Sequence, residues 1–385
     1  MNRRSFLRKS LVGLAAATLE SAGVPGMLAP PAAEGAPAPI ALTMAPALVE
    51  MIDGTQVFMW TFTDASGPHF PGPVITVRSG QRVQIALTNA LDELHAFTVP
   101  GVVSSGPILP GRTRLVTFTA PAGGTYLYFD PLNAPVNRVL GLHGAMVVLP
   151  AAGNTPYTRP TPAVQQLFDD LGVAPQFPGD AWLAPPANRS RLWLFSQTDP
   201  RFNAQAQAGQ TINAAKFVAG FVPDYFTING LSGAFASHDP AIFPSGNIGE
   251  PHLIRILNAG VATHSPHQHA NHIYILSVTG VVQGNVLFID TFTVRPLDRV
   301  DWLLPFVRPP DIAGDPRTPL RDLLPQELAL VLGNVPQSPL SWPMHCHMEQ
   351  SQTALGGNYP QGLVAHMEIV GYVDKVPFPN QPPPP

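Results

Sequence analysis

Val74-Ile75-Thr76-Val77-Arg78-Ser79-Gly80-Gln81-Arg82-Val83-Gln84-Ile85-Ala86-Leu87 reads as strand, turn, strand. A β-rich run ends at the Ser79-Gly80 turn, and Val83, Ile85 and Leu87 then alternate with Arg82, Gln84 and Ala86. Successive side chains of a strand point to opposite faces, so this period of two describes a half-buried strand. Similar runs follow at 113–119, 125–129 and 144–149. A second set lies at 191–195, 252–257, 273–278, 286–294 and 363–370. Short strands separated by Pro and Gly turns predict an all-β protein of the sandwich or barrel kind.

Composition agrees. The 385 residues include 46 prolines and 33 glycines, about a fifth of the chain, and both break helix interiors. A 45% hydrophobic fraction, well spread, argues against global disorder. The net charge is -4 and the Lys and Arg form no stripe, so nucleic acid is not an expected partner. The lone cysteine, Cys346, excludes a disulfide framework within the chain.

The pattern divides the chain into five parts. Residues 1–40 have a basic head containing Arg3-Arg4 and Phe6-Leu7, a short apolar run from Leu11 to Leu19, and a stretch rich in small residues. This has the form of an export signal and resembles the twin-arginine type. The expected location is periplasmic or extracellular. A first β domain covers 41–150, a Pro-rich linker with one short helix at 163–171 covers 151–190, a second β domain covers 191–372, and a disordered tail covers 373–385. No later stretch is long and apolar enough to predict a membrane span.

Two dense histidine motifs lie in the second β region. One is His264-Ser265-Pro266-His267-Gln268-His269, followed by His272; the other is Met344-His345-Cys346-His347-Met348. Imidazole and thiolate together suit copper or zinc. Strand parity puts His345 and His347 on one face and Cys346 on the other, and puts His267 and His269 together with His264 opposite. On adjacent strands these would form a four-imidazole site and, behind it, a His264–Cys346 site. Cys346 is then the candidate point of electron entry. Met344 and Met348 share its face, and a Met-Cys-Met surface suits Cu(I).

These motifs resemble the His-x-x-His-x-His and His-Cys-His signatures of the multicopper oxidase superfamily. Supporting fragments are Phe226-Thr227-Ile228-Asn229-Gly230, Arg255-Ile256-Leu257-Asn258, Pro71-Gly72-Pro73 and Gly141-Leu142-His143-Gly144. The resemblance implies two cupredoxin-like Greek-key β-sandwich domains, copper as cofactor, and one-electron oxidation of a small-molecule or metal-ion donor, coupled to dioxygen reduction. It assigns His264 and Cys346 to a blue type 1 copper, His267 and His95 to type 2, and His269, His345 and His347 to type 3. Two-domain relatives of this kind form trimers, which suggests a homotrimer with His95 meeting a neighbour's His267.

The family pattern is incomplete. His95-Ala96-Phe97 keeps one imidazole of a His-x-His pair, and Phe129-Asp130-Pro131 keeps neither of a second. Ser351 and Gly356 stand where the family has a second type 1 imidazole and an axial ligand. Two other functions therefore remain beside the oxidase: a non-catalytic cupredoxin-fold protein of the cell envelope, and copper storage or delivery.

Overall fold

The computed structural model describes residues 39–171, 189–307 and 340–371. The export signal expected within 1–40, part of the Pro-rich linker and the tail at 373–385 lie outside the described residues. No helix among the described residues is long and apolar enough to cross a membrane.

In chain order the first half contains β1 (Ile40–Glu50), β2 (Gln56–Asp64), β3 (Gly67–Pro68), β4 (Gly72–Arg78), β5 (Arg82–Asn89), β6 (Thr98–Val99), β7 (Val103–Ser104), β8 (Thr113–Thr119), β9 (Gly124–Phe129) and β10 (His143–Leu149). They form two sheets, ordered β3-β2-β1-β5-β8 and β4-β10-β9-β6-β7. The second half contains β11 (Ser190–Thr198), β12 (Tyr225–Ile228), β13 (Ser245–Asn247), β14 (His252–Asn258), β15 (Pro266–Gln268), β16 (Ile273–Val278), β17 (Val281–Ile289), β18 (Arg299–Leu304), β19 (Leu340–Cys346) and β20 (Val364–Gly371). These also form two sheets, β12-β11-β14-β18-β16-β17 and β13-β20-β19-β15.

Each pair of sheets encloses its own apolar core. Phe62, Ile85, Leu87, Phe97 and Met146 lie in the first, and Trp193, Ile254, Trp302, Met344 and Cys346 in the second. The alternation read at 83–87 is the cause: Val83, Ile85 and Leu87 are buried, while Arg82 stays exposed. The halves repeat one topology. A parallel β1–β5 pair corresponds to β11–β14, and a parallel β4–β10 pair to β13–β20. The β6–β9–β10–β4 order of the first half recurs as β15–β19–β20–β13.

The remaining segments brace these layers. The helix expected at 163–171 is found at Pro162–Asp170 (α2), and a single turn, Val136–Val139 (α1), precedes it. Through Val164 and Phe168 α2 packs on Leu253, Leu276 and Leu303 of the second sandwich. Helices α3 (Pro200–Gln207) and α4 (Ala214–Gly220) instead place Ala206 and Phe217 in the core of the first. A last short helix is α5 (Gly233–Ser237).

Between the sandwiches lies a seam, part apolar and part polar. Leu127 and Ala145 of the first meet Leu194, Leu257 and Ala259 of the second. Beside them buried Asp301 accepts hydrogen bonds from Thr125 (2.7 Å), Tyr157 (2.9 Å) and Ser277 (3.0 Å). A buried carboxylate is tolerable only with such donors. His143, in the same seam, donates from Nδ1 to the Arg138 carbonyl at 2.7 Å and faces the Ser196 hydroxyl at 2.8 Å. Burial pushes its imidazole down to about 4.

Candidate metal centre

Strands β15 and β19 are antiparallel neighbours with Pro266 opposite Cys346, His267 opposite His345 and Gln268 opposite Met344. This register sorts the motif residues by face. Met344 and Cys346 turn into the core of the second sandwich. His267, His269, His345 and His347 project from the other side of the sheet.

The four imidazoles are mutual neighbours there. Ring centroids lie 4.7 Å apart for His267–His269, 4.9 Å for His267–His347, 5.2 Å for His269–His345 and 4.9 Å for His345–His347. Ligand atoms of His267, His345 and His347 all fall within 4.8 Å of one another. Three imidazole nitrogens bound to one ion at about 2.1 Å lie on average at most about 3.6 Å apart. Side-chain adjustments of up to about 1 Å would therefore bring these three onto one ion.

The hydrogen bonds leave lone pairs available. His267 Nδ1 donates to Thr291 Oγ1 (2.8 Å) and towards the Asp290 carbonyl (3.1 Å), so its Nε2 carries a lone pair. An oxygen partner on the far ring nitrogen is the usual brace of a metal-binding histidine. His269 Nε2 and His345 Nε2 face each other at 3.1 Å, and His345 Nδ1 is buried with no hydrogen-bond partner among the described residues. Burial first, and then the neighbouring imidazoles, hold the pKa values of His267 and His345 below the usual histidine value, which favours their neutral forms. Neutral imidazoles suit copper, which heads the affinity order of divalent first-row ions for such sites. This donor set fits the copper that the sequence resemblance implies.

The sulfur side does not fit as well. Cys346 Sγ lies 3.6 Å from His264 Nδ1 and accepts the Ser265 N–H at 3.3 Å. A blue copper site takes two imidazoles and a thiolate. Ser351 stands at the second imidazole position, is buried, and donates its hydroxyl to the Met348 carbonyl at 2.7 Å. Gly356 offers no side chain at the axial position. Met344 is enclosed in the core, and His366 pairs with Glu368 at 3.0 Å instead of facing the sulfur.

His95 requires a correction. The resemblance set it beside His267, but the structure gives it the position that His264 holds in the second sandwich. Asn89 donates to the carbonyls of Glu93 and Ile108 and accepts the Leu91 N–H. Asn258 does the same with Ala262, Val294 and Gly260. His95 then bridges to Ile108 as His264 bridges to Val294. The residue opposite Phe129 is Thr98, where the second sandwich has His267 opposite His345. His95 therefore points inward and is fully buried. Its Nδ1 donates to Asp130 at 2.7 Å, and Asn137 donates to the same carboxylate oxygen at 2.8 Å. Its Nε2 is enclosed as well, so it does not reach a neighbouring chain's cluster.

A cleft of about 560 Å³ opens on the imidazole face, lined by His269, His345, Trp342, Tyr359, His366 and Glu368 among others. The sequence reading missed the residues that position these groups: Thr291, Gln197, Asp130 and Asn137. Each is an ordinary polar residue far along the chain from the histidine it holds, with no local pattern to mark it.

Comparison with known proteins adds similarities at the level of sequence and of fold. The sequence profile described as multicopper oxidase matches residues 49–153, within the first sandwich. Laccase-4 of Oryza sativa subsp. japonica is 26% identical over 253 residues, covering 61% of this chain and 38% of that protein. The cell division protein FtsP of Rahnella sp. is 31% identical over 122 residues, 30% of this chain and 25% of that protein. The chain thus spans well under half the length of either. Among solved structures, a blue copper oxidase from Nitrosomonas europaea has TM-score 0.60 at 18% identity, covering 86% of this chain and 85% of that one. A copper nitrite reductase from the same organism has TM-score 0.53 at 18% identity over 86% and 93%. These structural likenesses carry the cupredoxin-like sandwich fold, and the profile match makes residues 49–153 similar to a multicopper oxidase domain.

Proposed function

We propose that the chain is an exported copper-binding oxidoreductase that holds its metal on the outer face of the second sandwich, through His267, His269, His345 and His347. The observation that carries this is the convergence of four imidazole rings, with the Nε2 lone pair of His267 left free by the acceptors on its Nδ1. Bound copper would supply one-electron chemistry between a small-molecule or metal-ion donor and dioxygen. The protein's part is to fix the ligands: Thr291 and the Asp290 carbonyl set the His267 ring. The cleft beside His269 and His345 gives a donor access to them. Export rests on the Arg3-Arg4 segment.

A homotrimer is part of this reading, and the seam supports it. The face of β9 that carries Leu127 and Phe129 is covered by the β11–β14 sheet of the second sandwich. The matching face of β19 carries Pro343, His345 and His347, and no sheet among the described residues covers it. The equivalent of the β11–β14 sheet is the β1–β5–β8 sheet, which exposes Leu48 and Leu115. Repeating the seam head-to-tail between copies is the kind of contact that forms a ring when its rotation closes.

A non-catalytic role in the cell envelope is favoured by two observations: the match to FtsP and the presence of Thr98, Phe129 and Pro131 at the first-sandwich positions equivalent to His267, His345 and His347. Elemental analysis after copper loading, together with oxygen uptake in the presence of reducing donors, tests the proposal. Bound copper with donor-dependent uptake is expected, and a protein that retains no copper would support the envelope role instead. Light scattering that finds only monomer at micromolar concentration would reject the ring.

A further inference from the structure

The pocket around Cys346 is closed by a hydrogen bond that a metal-binding histidine would not accept. Gln197 on β11 is 1% exposed, and its Oε1 accepts the N–H groups of Val261 (3.0 Å) and Ala262 (3.1 Å). Those two donors fix which way the amide points. Its Nε2 therefore faces His264 Nε2, at 2.6 Å. An amide nitrogen only donates, so His264 Nε2 accepts. An imidazole with its lone pair on Nε2 carries its proton on Nδ1, the atom 3.6 Å from Cys346 Sγ. The distance alone would also suit two ligands on one ion, with arms of about 2.0 Å to nitrogen and 2.3 Å to sulfur. The proton decides against it, because a metal needs the Nδ1 lone pair.

We propose that Gln197 holds Cys346 and His264 as a hydrogen-bonded, metal-free pair, so that any copper on this chain sits at the four imidazoles alone. Turning the Gln197 amide to release His264 would set its N–H₂ against two backbone N–H groups. The amide also packs directly on Gly260, where a Cβ would lie 2.6 Å from Gln197 Cδ. The first sandwich carries the same device with different atoms. On a matching backbone frame, His95 Nδ1 donates to Asp130, the residue that takes the place of the cysteine. The inference takes the copper site from the reading above and adds a statement about the sulfur.

The tautomer is read in metal-free protein with isotope-labelled histidine by nuclear magnetic resonance. An Nδ1–H on His264 is expected, and an Nε2–H there overturns the proposal. Copper-loaded wild type should lack the intense blue thiolate-to-copper band, and Cys346→Ser should keep the same copper count. A blue band that vanishes in Cys346→Ser overturns it. In Gln197→Glu the carboxylate accepts from Nε2–H, which frees Nδ1, so combining it with Ser351→His should add a blue copper. A folded double variant that gains none overturns the role given to Gln197. Wild type that binds no copper at all sinks the function proposed above while the tautomer readout still stands.

Discussion

The two sandwiches share a backbone plan and differ in what their equivalent strands present. Along β9 and its continuation run Leu127, Phe129 and Pro131; along β19 and its continuation run Pro343, His345 and His347. Opposite them, Thr98 stands where His267 stands. In the first sandwich this face is glued to the second through Leu127, Leu194 and Leu257. In the second it carries four imidazoles beside a cleft. The inward residue of each strand end, Asp130 or Cys346, meets the imidazole of an equivalent histidine. The lesson is that the fold supplies one frame with two sides. The inner side is committed to a closed polar pair in both halves, and the outer side is free to be an interface or a metal centre.

That contrast can be broken at its strongest point first. His345→Ala should abolish copper retention, read by elemental analysis, with circular dichroism unchanged because the ring lies outside the core. Retained stoichiometry would remove the four-imidazole site. Asp130→Ala attacks the closed pair of the first sandwich. It leaves the buried His95 and Asn137 donors unpaired, so urea unfolding should show a loss of roughly 3–5 kcal/mol, with the copper count untouched.

Acid sharpens the comparison at two buried histidines, His143 in the seam and His252 against Phe306 in the second sandwich. Burial pushes His143 down to about 4 and His252 down to about 3. In the unfolded chain both titrate near 6.5. Between those values the unfolded chain binds protons that the folded one refuses, so stability is full above 6.5 and falls as pH drops toward 4. His143 alone should account for about 3 kcal/mol of that loss. His143→Gln should flatten this part of the pH profile. The smallest effect is expected at the brace. Thr291→Val removes one acceptor of His267 Nδ1–H, and copper should bind about tenfold more weakly, measured by chelator competition.

Much of this was legible. The strands at 113–119 and 273–278 follow from alternation, and the faces of His267, His269, His345 and Cys346 follow from parity. The run expected at 286–294 was misplaced. Strand β17 spans Val281–Ile289, because Thr279 and Gly280 both have positive φ and make a two-residue hairpin from β16. Past Ile289 the chain leaves that sheet, and Thr291 and Val294 pair with His267 and His264. The helices α3 and α4 carried a signal that went unread: Asp199 before Pro200, and Asn213, cap their first turns. The role of His95 was misassigned because a His-x-Phe triplet looks alike whether its histidine faces in or out. The partners of Asn89, contributed by Leu91, Glu93 and Ile108, the His95–Ile108 bridge and the Thr98–Phe129 register together distinguish the two.

Holding imidazoles on the outer face of a sheet, beside an open cleft, has a practical consequence. In an isolated chain an ion seated there would equilibrate with the surrounding medium, so the metal recovered with the monomer would reflect the last buffer it met, whereas a neighbour's sheet in the proposed ring would slow that exchange. The monomer's occupancy should be refillable after dialysis, without unfolding a single strand.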